Sequence, residues 1–257
     1  MKTVQRTTLL AFLEETFKTS ITPDVSYNGL QFEGRKTISK VVTGVDASAA
    51  FFAQAASRKA DFAIVHHGLF WKGGEWKRIT RFEKEKCALL MKSDVNLYAL
   101  HLPLDSHPEL GNNAVLSRLL GLLDCLPFSE YQGQKIGIKG TFSKPITRAQ
   151  LEKIICRVVG PLTGKLEFGA EKISSLGIVS GGGWGSVLDP EIAEGKLDAL
   201  LTGELIHQAF GPAQERKTNV YAAGHYATER FGVMALGERL ASQFGITHEF
   251  IDLPTGL

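Results

Sequence analysis

The sequence has no run of about 18 consecutive apolar residues in its 257 positions, so no membrane-spanning helix is expected. Its opening, Met1-Lys2-Thr3-Val4-Gln5-Arg6-Thr7, lacks the apolar segment and small-residue cleavage site of a secretory signal. A soluble, cytoplasmic protein is the expectation. Cysteine is scarce: Cys87, Cys125 and Cys156 are odd in number, widely spaced and without a Cys-x-x-Cys pair, which argues against a disulfide framework and a thiolate zinc site. There is no Gly-x-Ser-x-Gly elbow and no Cys and His pairing to support a covalent nucleophile. A dominant charge is missing too. With 29 basic and 27 acidic residues the net charge is +2, and nothing global drives the chain toward nucleic acid or a membrane. The exception is local: Lys72 to Lys86 carries six basic residues against three acidic ones, which reads either as a solvated face or as a phosphate-steering rim.

Hydrophobic residues make up 44% of the chain, ample for one large domain or two ordinary ones. Leu9, Leu10, Leu13 and Phe17 have helical spacing before the Pro23 break, and Asn28-Gly29 signals a turn. Lys40 to Asp46 and Asp61 to Val65 read as strands joined by an alanine-rich helix that Ser48 can cap. Phe82 to Lys92 reads as a helix, Val95 to Leu100 as a strand and Asn112 to Leu123 as a helix. The middle of the chain carries a strand over Lys135 to Phe142 and a helix opened by Thr147 with Gln150 at capping-box spacing.

The last third repeats the first. Gly44 to Asp61 and Gly181 to Asp198 are both 17 positions apart, a register that sets Val65 on Thr202, His66 on Gly203 and His67 on Glu204. Asn96 to His101 likewise resembles Asn219 to Gly224, which His225 follows. The expected fold class is therefore α/β: two related α/β lobes, residues 1–126 and 127–257, with a metal site in the cleft between them.

Three groups sit at the carboxyl ends of corresponding strands, where open α/β sheets bind ligands. They are His66 and His67, His101 with Asp105, and His225 with Glu229. Each alone fits a core histidine or a cap; together they fit a metal centre. Neighbouring strand residues point to opposite faces, so His66 and His67 serve one ion only if the strand bends. Two adjacent ions, with Asp105 or Glu229 bridging, remove that difficulty. A shell of imidazole and carboxylate suits Zn, Mn, Fe, Co or Ni. Glu204 reads as a general base, as support for a histidine, or as a surface residue at a helix start; His207, one turn later, can accompany it. Trp71 and Trp76 flank Lys72, a loop suited to stacking on a base beside a phosphate or to packing at a subunit interface. Gly181 to Ser186 can cradle an anion with its amides or merely form a tight turn. His107 and His248 read as surface residues.

The set Val65-His66-His67-Gly68-Leu69-Phe70-Trp71, His101-Leu102-Pro103-Leu104-Asp105, Thr202-Gly203-Glu204 and Gly224-His225-Tyr226-Ala227-Thr228-Glu229, with Asn28-Gly29-Leu30-Gln31, resembles the NIF-three-like dinuclear-metal family, often named GTP cyclohydrolase 1 type 2. The resemblance implies a dinuclear metal site and a homo-oligomer in the form of a hexameric ring. It implies His66, His67, Asp105, His225 and Glu229 as ligands of two divalent metal ions per subunit, with His101 beside them as a further ligand or a support. It also implies a hydrolase acting on a nucleotide or phosphorylated small molecule through a metal-bound hydroxide; the candidates for catalytic roles beside it are Glu204, which the repeat register sets opposite His67, and His101 at its strand end. For GTP itself, attack would fall at the purine C8 and release formate. The alternative is a ring-forming metal-handling or nucleic-acid-binding protein without hydrolase activity.

Overall fold

The computed structural model describes residues 2–74 and 78–257. The chain forms two α/β units, Met1–Leu104 with Val233–Leu253, and Asp105–Gly232 with Pro254–Leu257. In the first unit a five-stranded sheet runs in the order Thr247–Phe250, Lys40–Asp46, Phe62–His67, Asn96–Ala99, Gly29–Phe32. The first four strands are parallel and the last is antiparallel. Lys40–Asp46, Phe62–His67 and Asn96–Ala99 are buried along nearly their whole length, as parallel strands covered on both faces must be; their uninterrupted apolar runs follow from that. The helix Ala49–Ser57 starts where the Ser48 hydroxyl accepts the Phe51 amide at 3.1 Å. It lies so close to the sheet that a Cβ on Gly44 would come within 2.4 Å of the Phe51 ring.

The second unit holds a six-stranded sheet in the order Leu123–Tyr131, Gln134–Thr147, Lys172–Val179, Ala199–Thr202, Asn219–Ala222, Gly164–Glu167. Its three central strands of the 172–222 region are parallel. The capping box at Thr147 is formed in both directions. The expected helix to Leu123 stops at Leu119, because Gly121 takes φ +78° and the chain turns into a strand at Leu123. The strand expected over Lys135 to Phe142 extends over Gln134–Thr147. It is one arm of a hairpin whose two turn residues, Gln132 and Gly133, both have positive φ (50° and 79°), the conformation of the tight turn that matches strand twist.

The repeat is real in topology. Val65 pairs with Ala99 and Thr202 pairs with Ala222, and the Leu100 amide bonds the Val65 carbonyl as the Ala223 amide bonds the Thr202 carbonyl. One strand is shifted: Val65 pairs with Gly44, whereas Thr202 pairs with Val179. Gly181 therefore lies beyond its strand rather than matching Gly44. The unit boundary also differs from 126/127. The helix Asn112–Leu119 contributes Leu116 to the apolar core that contains Ile173, Leu176 and Tyr221, so the second unit begins at Asp105. The chain later returns to the first unit because Lys40–Asp46 would otherwise leave an open sheet edge, which Thr247–Phe250 covers.

Helix His225–Phe244 yields a stability prediction. A Cβ on Gly237 would stand 2.0 Å from the His248 Nε2, and that ring is tied to the Thr43 hydroxyl at 2.9 Å. Gly to Ala inside a helix normally gains about 1 kcal/mol, but overpacking costs about 1–3 kcal/mol. Gly237→Ala should lower the urea midpoint, and His248→Ala in the same chain should restore part of it.

Candidate metal centre

In the first unit His66 and His67 end their strand and His101 follows the next one. The ring centroids lie 4.8 Å apart for His66 and His67, 5.0 Å for His66 and His101, and 5.6 Å for His67 and His101. Each residue offers one ring nitrogen within 4.8 Å of the other two. The two neighbouring imidazoles thus converge with a third. Gly68 ends the strand where any Cβ would strike the Ala99 Cβ and the Gln31 amide at 2.5 Å.

The orientation of each ring is fixed from behind. His66 Nδ1 lies 2.9 Å from the Leu100 carbonyl; a carbonyl only accepts, so Nδ1 donates, and in a neutral ring Nε2 is the nitrogen left as acceptor. His67 Nδ1 is 2.8 Å from the Asp46 carboxylate and His101 Nδ1 is 2.8 Å from that of Asp24. Burial opposes ionisation of Asp24, yet His101, Asn28 and the Ser26 amide outweigh it and hold its carboxyl at about 2. Such carbonyl and carboxylate partners are what orient metal-binding histidines. Asp24 and Asp46 were not evident as site residues in the sequence. The signal lay in the Asn28-Gly29 motif, since Asn28 donates to Asp24 at 2.8 Å and accepts the His101 amide at 2.7 Å.

In the second unit Asp105, His225 and Glu229 come together. Asp105 and Glu229 are 7% and 3% exposed, and each offers a carboxylate oxygen within 4.8 Å of the other's. Asp105 accepts from Asn112 at 2.8 Å and Ser180 at 3.3 Å. His225 Nδ1 is 2.6 Å from Glu204 and its Nε2 is 3.1 Å from Glu229, the latter across one turn of helix. Burial disfavours the charged ring, but Glu229 and Glu204 overcome it and push His225 up to about 9.

These contacts test whether the residues suit a cation. A neutral imidazole donates through one nitrogen only, so His225 between two carboxylates needs a proton or a metal. Two buried carboxylates this close repel unless a positive charge joins them. The donor set of imidazole nitrogen and carboxylate oxygen fits a divalent transition metal. Metal binding to His225 must displace its proton, so apparent affinity should fall about tenfold for each pH unit below 9. Calorimetric metal titrations at several pH values, in buffers of different ionisation enthalpy, will read that proton.

Gly181 belongs to this centre. At φ +60°, its Cβ would lie 1.9 Å from the Glu229 Oε1 and 3.0 Å from the His225 Nε2. Its amide donates to Thr228 at 3.0 Å, so that amide is not available to cradle an anion. Glu204 stands behind His225. Glu204→Gln keeps an acceptor but loses the charge, and should weaken metal binding by about tenfold, the low end of the range for such partners. Glu204→Ala should cost more in the same metal-competition assay.

His207, His107 and His248 are not among the residues that converge here. His207 is exposed at the start of a short helical turn. His107 Nδ1 accepts the Glu109 and Leu110 amides at 3.1 and 3.0 Å. His248 is half-buried rather than on the surface. Trp76 and Lys77 lie outside the described residues, while Trp71 packs against His67 and His101, its centroid 5.9 and 5.1 Å from theirs.

The sequence matches Duf34/NIF3 (NGG1p interacting factor 3) over residues 4–255. The chain belongs to the Duf34/NIF3 family. A protein named GTP cyclohydrolase 1 type 2 homolog from Deinococcus radiodurans is 41% identical across 99% of this chain and 95% of its own length. One of the same name from Pyrococcus horikoshii is 41% identical across 99% of this chain and 100% of its own. The solved structure of the protein ybgI, described as of unknown function, superposes with a TM-score of 0.91 at 36% identity, covering 99% of this chain and all of that one. Among the described residues no helix is long and apolar enough to cross a membrane.

Proposed function

We propose that this Duf34/NIF3 protein is a metal-dependent hydrolase of the GTP cyclohydrolase 1 type 2 kind, acting on a nucleotide or phosphorylated small molecule. The observation that carries the reading is His225, held between Glu204 and Glu229 in an arrangement that calls for a cation on Nε2. His66, His67, Asp105, His225 and Glu229 would hold two divalent ions per subunit. Ions held by these residues would supply Lewis acidity for hydrolysis.

The chain's own groups do the rest. Leu100, Asp46 and Asp24 fix the three imidazoles, so their reacting nitrogens need no reorganisation. Asn112 and Ser180 hold Asp105 in one orientation. His101, beside His66 and His67 and backed by a carboxylate, is suited to hold or pass a proton at Nε2. Glu204 acts through His225 as a positioning residue. The reading includes a cytoplasmic location and a hexameric ring of this chain, to be measured by sedimentation.

The test is metal content per subunit of native protein, followed by formate release from GTP and a panel of nucleotides and phosphoesters. Formate release that chelation abolishes and added metal restores supports the reading. Substoichiometric metal, or turnover that survives chelation, defeats it. Protein that carries metal yet hydrolyses nothing supports a metal-handling role instead.

A further inference from the structure

A cavity of about 480 Å³ in the first unit is lined by Tyr27, Phe70, Trp71 and Lys86, with Gly68 and Gly73 as bare backbone. We propose that it is a recognition site for a planar aromatic ring bearing an anionic group, with Trp71 and Tyr27 as its aromatic walls and Lys86 as its anion contact. The inference rests on the hydrolase reading only in taking the bound molecule to be the substrate.

Four observations support it. The aromatic wall is built, not incidental: the Tyr27 amide bonds the Phe70 carbonyl at 3.1 Å and the Lys72 amide bonds the Val25 carbonyl at 2.7 Å. The Gln31 side chain clasps both segments, accepting the Leu69 amide at 2.6 Å and donating to the Tyr27 carbonyl at 2.7 Å. The Trp71 indole is locked as well, its Nε1 donating to the Gly68 carbonyl at 3.0 Å. Lys86, on the helix Arg81–Ser93, lines the cavity and has no carboxylate partner among the described residues, so among those residues its ammonium is uncompensated.

The chemistry of the walls selects the ligand. The fixed Trp71 indole face favours a flat ring at low entropic cost, and an ammonium without a carboxylate partner favours a phosphate or carboxylate. The volume suits one heterocycle with its substituents. The same indole that walls the cavity packs against His67 and His101, so a molecule anchored here is held beside the imidazole cluster.

Isothermal titration of the metal-loaded 257-residue chain tests the site with four probes: guanosine monophosphate, guanosine, ribose 5-phosphate and indole-3-acetate. The two probes that join ring to anion should bind at least about tenfold tighter than the two that do not, the scale of a charge-assisted contact. Lys86→Met should erase that preference while leaving guanosine unchanged, and Lys86→Arg should restore it. Trp71→Leu should weaken guanosine as well. Equal binding of ribose 5-phosphate and guanosine monophosphate, unchanged affinity in Lys86→Met, or no binding at all overturns the proposal. If the binding pattern holds in protein that hydrolyses nothing, the site stands and the hydrolase reading falls. If turnover occurs with a KM that Lys86→Met does not raise, the hydrolase reading stands and the site falls.

Discussion

Glu229→Gln is expected to cut metal affinity and turnover by more than about 100-fold while the chain stays folded. Even the outer partner of a metal-binding group is worth about 10- to 100-fold, and Glu229 is placed to be a ligand itself. Its carboxylate is 3% exposed, faces the His225 Nε2 at 3.1 Å and shares its pocket with Asp105. The amide keeps the shape and the hydrogen bond but removes the charge that draws a cation in. Burial alone then acts on His225 from that side, and its pKa should drop from about 9. Thermal unfolding supplies the check, because a ligand that binds only the native state raises the midpoint by mass action. Added metal should raise it in the natural chain and leave Glu229→Gln unmoved. A variant that still responds to metal would remove Glu229 from the ligand set.

Gly181→Ala carries the second large effect, although no charge changes. The new Cβ would fall 1.9 Å from the Glu229 Oε1, and the backbone sits at φ +60°, where a side chain adds about 1–2 kcal/mol of strain. The carboxylate is the part able to move, since the Gly181 carbonyl is fixed by the Gly203 and Glu204 amides at 2.9 and 3.0 Å. Glu229 should swing away from His225, with metal affinity reduced by at least about 10- to 100-fold. The His225 pKa, followed by its ring resonances in metal-free protein, should fall as it does in Glu229→Gln. Gly182→Ala is the control: its nearest neighbour is the His225 Cε1 at 4.0 Å, so metal binding should survive. If Gly181→Ala binds metal as the natural chain does, the close contact with Glu229 has no functional weight.

The two glycines show how far sequence reading reaches. Gly181 to Gly183 announce a turn after a strand, and a run of glycines there suits either an anion cradle or a tight bend. The reason for the first one lies 48 residues away, in a carboxylate that needs the space its side chain would fill. Asn28 and Gln31 are similar cases. As sequence they mark a turn; in the fold Asn28 holds Asp24 and the His101 amide, and Gln31 clasps the Tyr27 and Leu69 segments.

What the sequence determined by itself were the features set by local periodicity and by repetition. Continuous apolar runs mark strands buried on both faces, as in Phe62–His67, and the matching order of strands in the two halves of the chain follows from comparing them. Histidines and carboxylates at strand ends, together with the family resemblance, named the candidate ligands. Tertiary structure alone decided the backing groups and the exchange of segments. Asp24 and Asp46 have no local pattern because an imidazole selects them across 77 and 21 residues. The return of Thr247–Phe250 to the first sheet answers an unpaired edge, a requirement of the whole sheet that no stretch of sequence expresses.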